Sequence, residues 1–165
     1  MSMFTDNHKL ILAKTAVADG TAEVLTSVID MTGYDGIVFK VNHADVDAAA
    51  VMTYTVKENT ASSTSSPTPT AIDLSGGTEV ITTVDPTITT GAVVVTESSG
   101  NLDNKAVVID VQGRYITKRY VFLSITCATE SHEIVSVEAI LYRNRTGSVG
   151  TGQGSDVVTL VQAGK

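Results

Sequence analysis

Lys118-Arg119-Tyr120-Val121-Phe122-Leu123-Ser124-Ile125-Thr126-Cys127 and Glu133-Ile134-Val135-Ser136-Val137-Glu138-Ala139-Ile140-Leu141-Tyr142-Arg143 decide the fold class. Both runs are dense in β-branched and aromatic residues, which marks strands. With Thr129-Glu130-Ser131-His132 as the turn, antiparallel pairing in one hairpin places Arg119 across from Tyr142. Arg143 and Arg145 then lie just beyond. All four arginines of the chain, Arg114, Arg119, Arg143 and Arg145, fall in these two clusters. The hairpin gathers them with Tyr120 and Tyr142 at one edge.

The same period of two runs through most of the chain. Residues 9–16 and 22–31 read as the first two strands, divided by Ala18-Asp19-Gly20. After the turn Thr32-Gly33-Tyr34-Asp35-Gly36, residues 36–42 put Ile37, Phe39 and Val41 on one face and Val38, Lys40 and Asn42 on the other. Residues 51–58 set Met52, Tyr54 and Val56 against Thr53, Thr55 and Lys57. Further strands are expected at 78–84, 91–96 and 105–111, broken by Asp85-Pro86 and by Ser98-Ser99-Gly100-Asn101. That makes about nine strands, spaced as in a sandwich or barrel. No helical stripe of useful length occurs, and residues 44–50 could form one or two turns. The Ser/Thr/Pro run between Asn59 and Thr70 reads as a mobile surface loop.

Composition agrees with an all-β reading. The 165 residues are 42% hydrophobic and 18% charged, enough apolar material for one domain with a real core. Threonine (24) and valine (23) dominate, both stiff at χ1 and both suited to strands. Tryptophan is absent, so small aliphatic side chains must fill the interior. A formal charge of −7 repels phosphate backbones and argues against nucleic acid as a partner. The longest apolar runs are too short to cross a bilayer, and residues 1–7 lack the character of a signal peptide. The expectation is a soluble protein made in the cytoplasm.

Searching for chemistry returns little. His8, His43 and His132 are far apart in sequence, each near an expected strand end or turn. No zinc-protease, dithiol, nucleophile-elbow or phosphate-loop pattern occurs. Asp45 and Asp47 could lend oxygens to a calcium ion, with Asp19, Asp30 and Asp35 in other turns. A hard cation wants six to eight oxygens, however, and turn-forming aspartates are the plainer reading. Cys127 reads as a small buried residue that cannot make an intramolecular disulfide. The chain is therefore expected to be no enzyme, with no metal, no cofactor and no small-molecule substrate.

The arginine–tyrosine edge has the best claim to a role. Arginine offers a planar fork of donors that pairs with carboxylates and stacks on rings, and both residue types are enriched at binding hot spots. Arg114, Tyr115, Lys118, Arg119, Tyr120, Tyr142, Arg143 and Arg145 form the candidate interface. Internal pairing of these arginines with the domain's own carboxylates is the competing reading. Beyond residues 1–145 lies a Gly-rich C-terminal arm, residues 146–165, ending in Asp156-Val157-Val158-Thr159-Leu160-Val161. Val157, Val158 and Leu160 either add a strand to a neighbouring subunit or fold back on their own sheet.

At these residues the chain resembles a known group. Ser27-Val28-Ile29-Asp30-Met31-Thr32-Gly33-Tyr34-Asp35-Gly36-Ile37-Val38-Phe39, Met52-Thr53-Tyr54-Thr55-Val56-Lys57-Glu58 and Arg119-Tyr120-Val121-Phe122-Leu123-Ser124-Ile125-Thr126 are similar to small head proteins of tailed bacteriophages. These are capsid decoration, or cement, proteins and related virion accessory proteins. The similar stretches cover under half the chain, and neither the loop at 61–70 nor the arm at 147–154 belongs to them. The resemblance implies an antiparallel β-sandwich, jelly-roll-like, assembling as a homotrimer on the outside of an icosahedral shell. The implied partner is the major capsid protein and the implied location the virion surface. The alternative is a carbohydrate-binding or host-recognition module of a tail or fibre, with Tyr34, Tyr54, Tyr115, Tyr120 and Tyr142 standing in for the missing tryptophan.

Overall fold

A computed structural model describes residues 8–75, 78–97 and 100–143. Arg145 and the arm that carries Val157, Val158 and Leu160 lie outside the described residues. In chain order the strands are β1 (His8–Lys14), β2 (Val17–Gly20), β3 (Val24–Leu25), β4 (Ile29–Asp30), β5 (Gly36–Val46), β6 (Val51–Asn59) and β7 (Thr70–Ala71). They continue as β8 (Glu79–Ile81), β9 (Thr87–Thr89), β10 (Ala92–Thr96), β11 (Ala106–Gln112), β12 (Tyr120–Ala128) and β13 (His132–Tyr142). A single turn of 3-10 helix, Gly113–Tyr115, follows β11. No helix of the described residues is long and apolar enough to cross a membrane.

Two antiparallel sheets pack face to face as a β-sandwich. One runs β1–β13–β5–β11–β8 with β2 also against β13; the other runs β3–β12–β6–β10–β9 with β4 on β12 and β7 on β6. Among the described residues the chain changes sheet at eight of the twelve connections between consecutive strands. Alternation fills the space between the layers. Ile37, Phe39 and Val41 of β5, and Val107, Ile109 and Val111 of β11, face Met52, Tyr54 and Val56 of β6 and Val121, Leu123 and Ile125 of β12.

The expected hairpin of residues 118–143 does not form. β12 pairs with β6 on one side and with β3 and β4 on the other, whereas β13 pairs with β5 and with β1 and β2. The two runs lie in opposite sheets, so Arg119 is not a ladder partner of Tyr142, which instead pairs with Gly36 and His8. The physical reason is apolar coverage. Val121, Leu123 and Ile125 need a facing layer, and Val137, Ala139 and Leu141 supply part of it only from the other sheet.

Other boundaries shift for local reasons. The strand expected at 22–31 is split into β3 and β4 by Thr26, whose hydroxyl accepts from Leu123 N at 2.9 Å. Ser27 then donates its N–H to Ala13 O at 2.8 Å, lacing the two sheets together along one side. Ala18-Asp19-Gly20, read as a turn, falls within β2. The Ser/Thr/Pro run is pinned at its base, because the Asn59 amide donates to Ser63 O at 2.7 Å and Pro67 O at 3.0 Å.

Candidate functional site

Arg114, Arg119 and Arg143, the three arginines among the described residues, lie at one end of the sandwich, but a different device brings them there. Residues 30–36, between β4 and β5, bridge the two sheets there. Met31 donates its N–H to Arg119 O at 2.8 Å, at the start of β12, and Asp35 donates to Tyr142 O at 2.9 Å, at the end of β13. Gly113 in turn donates to Asp35 O at 2.6 Å, tying in the 3-10 turn after β11. A Cβ on Gly113 would lie 2.3 Å from that carbonyl oxygen, so only glycine allows the approach. Arg114, Arg119 and Arg143 are thereby brought to one end by backbone bonds from both layers.

Each of these arginines sits over a tyrosine ring. Arg114 lies 4.8 Å from the Tyr115 centroid, Arg119 lies 5.1 Å from Tyr120, and Arg143 lies 5.0 Å from Tyr34. Stacking on the ring face holds a guanidinium in place while leaving its edge donors free to bind. Arg119 is the exception in one respect. It forks onto Asp30, Nε to Oδ1 at 3.0 Å and an Nη to Oδ2 at 2.6 Å. Asp30 Oδ1 also accepts from Thr32 N at 2.9 Å and Thr32 Oγ1 at 2.7 Å. The Arg119 guanidinium and these donors hold the Asp30 carboxyl far below the usual carboxylate range. Arg119 is thus paired internally with Asp30 while its side chain stays exposed.

The backbone that carries Lys118 and Arg119 is held by a carboxylate that sequence reasoning passed over. Glu58, 6% exposed at the end of β6, accepts from Thr117 N at 2.7 Å, Thr117 Oγ1 at 2.6 Å and Lys118 N at 3.1 Å. Its sequence signal is parity. Glu58 falls on the same face as Met52, Tyr54 and Val56, where an ionisable group is out of place unless it is bonded. Lys118 reaches across to the Thr70 hydroxyl of β7. Between these elements lies an open cleft of about 350 Å³, lined by Met31, Thr32, Tyr34, Gly113, Ile116, Thr117, Lys118 and Arg119.

Tyr142 is a structural member of this end. Its hydroxyl donates to Asp110 Oδ1 at 2.8 Å, and burial, followed by the nearby Asp110 charge, pushes its pKa far up. Tyr120 is half-buried on β12, and Tyr115 packs against the core. Arg145, Val157, Val158 and Leu160 lie outside the described residues.

The remaining candidates fall at the opposite end or in the interior. Asp47 caps the β12–β13 connection, accepting from Ser131 Oγ at 2.7 Å, and Asp45 is exposed. Among the described residues no three acidic, histidine or cysteine side chains are grouped to hold a metal. His43 is not at a strand end, since β5 runs on to Val46. It is buried, with Nε2 2.8 Å from the Tyr54 hydroxyl. Loss of water, then the proximity of His132, lowers its pKa to about 4. Cys127 is half-buried, and burial pushes its thiol up, which keeps it protonated.

Among the described residues this end gathers Arg114, Lys118, Arg119 and Arg143 beside Asp30 and Glu58, with the three arginines over tyrosine rings. Arg114 and Arg143 hold their guanidinium groups over ring faces there, while Arg119 is already paired with Asp30. No protein-family model matches this chain, and no curated protein matches it in sequence.

Proposed function

We propose that this chain is a non-enzymatic structural protein of a bacteriophage virion, binding the outside of the assembled capsid and stabilising it as a decoration or cement protein. The observation that carries the reading is the end built by Arg114, Lys118, Arg119 and Arg143. It concentrates cations on a chain of formal charge −7 and mounts three of them on tyrosines. A surface of this kind fits a carboxylate-bearing protein partner, here the major capsid protein. Fixed side chains lose little freedom on binding, which favours a clamp over a pocket. A clamp whose site exists only on the finished shell stabilises that shell by mass action, and many copies add their effects.

Co-sedimentation of purified protein with mature capsids and with procapsids tests this. Binding to mature capsids, weakened by salt, is the expected result. Binding to neither particle sinks the proposal.

The cleft beside Tyr34 favours a second reading, a carbohydrate-binding module of a tail or fibre. Its wall combines a ring with the Thr32 and Thr117 side chains and with Lys118. Specific glycan binding that competes with no capsid contact would select it.

A further inference from the structure

Among the described residues β1 has a ladder partner only in β13, so its other side is an open sheet edge as far as Ala13, whose carbonyl accepts from Ser27. Open edges recruit further strands, and monomeric proteins blunt them with charge, proline or a bulge. Residues 10–12 of β1 carry neither charge nor proline, and the strand's bulge lies beyond them, between Leu12 and Lys14. Leu10 and Leu12 project from its outer face, 60% and 58% exposed, the two most exposed large hydrophobic residues of the described chain. Leu10 is opposite Ile140 and Ile140 opposite Val38, so the apolar row continues inward across the sheet. Lys9 and Lys14 stand at the two ends of the strand.

Backbone direction can be followed from β11 outward. His43 donates its N–H to Lys105 O, so the odd-numbered residues of β5 bond toward β11 and the even-numbered ones toward β13. Through the register, Glu138 and Ile140 bond β5, while Ala139 and Leu141 bond Ile11 and Lys9 of β1. The N–H and C=O groups of Leu10 and Leu12 therefore face the open side.

We infer that two copies of this protein join through their β1 strands, antiparallel about a two-fold axis at Ile11, to form one continuous sheet. In that register Leu10 of each copy lies opposite Leu12 of the other. Both leucines supply the backbone bonds, and their side chains close over one another on the outer face. Ile11 meets its own counterpart in a non-hydrogen-bonded pair, where side chains approach most closely. Lys9 falls opposite Ala13, so no like charges are opposed. The strand is complementary to itself, and a self-complementary contact closes at two copies. This pairing goes beyond the capsid reading and stands without it; it is two-fold where the resemblance implies a trimer.

The test uses the full-length chain. Light scattering should give a dimer. Ile11→Cys in a Cys127→Ser background should form an intermolecular disulfide on mild oxidation. Leu10→Lys with Leu12→Lys should give a monomer of unchanged circular dichroism, and Val158→Lys with Leu160→Lys should remain dimeric. A monomeric wild type overturns the inference, as does a dimer that fails to cross-link at residue 11. Loss of the dimer in the Val158/Leu160 variant overturns it too, because the C-terminal arm would then be the occupant of the edge. The cross-link keeps the inference testable if the lysine variant does not fold.

Discussion

The Tyr142 hydroxyl reaches Asp110 by lying flat across Gly36, donating to Oδ1 at 2.8 Å over a residue with no side chain. Three neighbouring strands, β13, β5 and β11, contribute one residue each to this arrangement. A Cβ on Gly36 would stand 2.1 Å from the Tyr142 ring. Gly36→Ala must therefore displace the ring, breaking its bond to Asp110. The expected loss is about 2 kcal/mol by overpacking, read by urea denaturation. Tyr142→Phe, which removes only the hydroxyl, should cost about 1 kcal/mol.

Glu58 is expected to govern the shape of the arginine-bearing end. Glu58→Ala strands the N–H groups of Thr117 and Lys118 and should cost about 3 kcal/mol. Glu58→Gln keeps an acceptor oxygen and should cost about 1 kcal/mol. Equal losses in the two variants would show that the carboxylate bonds contribute nothing specific.

Stability should fall with acid in a defined window. The neutral form of His43 is favoured in the fold, with its pKa lowered from 6.5 to about 4, while the unfolded chain takes up the proton near 6.5. The contribution is complete above pH 6.5, is lost as pH falls from there toward about 4, and stays constant below. It amounts to about 3 kcal/mol. His132, also buried and also lowered, adds to the loss in the same direction. Thermal melts of His43→Gln between pH 7 and pH 4 should show a shallower decline than wild type. An identical slope would remove His43 as the cause.

Arginine substitutions should separate binding from folding. The Arg119–Asp30 pair is exposed, and exposed pairs contribute little to stability. Arg119→Ala with Arg143→Ala should leave the melting temperature unchanged and weaken capsid co-sedimentation about tenfold or more. Unchanged co-sedimentation would exclude this end as the docking surface.

The legible part of the fold was its alternation. Ile37, Phe39 and Val41, or Met52, Tyr54 and Val56, face inward as the period of two requires. Pairing was not legible, because β12 and β13 are each flanked on both sides by strands distant in the chain. Adjacent runs look like a hairpin until the neighbours that outcompete it are known. The meeting of Arg119 with Arg143 at one end was anticipated, but its agents were not. Asp30 is 89 residues from Arg119, and no local pattern links Tyr34 to Arg143. Glu58 was within reach through its parity alone.

Residues 30–36 give this end a mechanical property. They fasten the residue just before β12 and the last of β13 to a common crossing, and both strands have neighbours on each side in their sheets. A load applied there runs along the strand axes. It must shear whole ladders at once, where a load on β8 or β9 would peel bonds one by one. The end that carries the arginines is thus where the sandwich best resists being pulled apart.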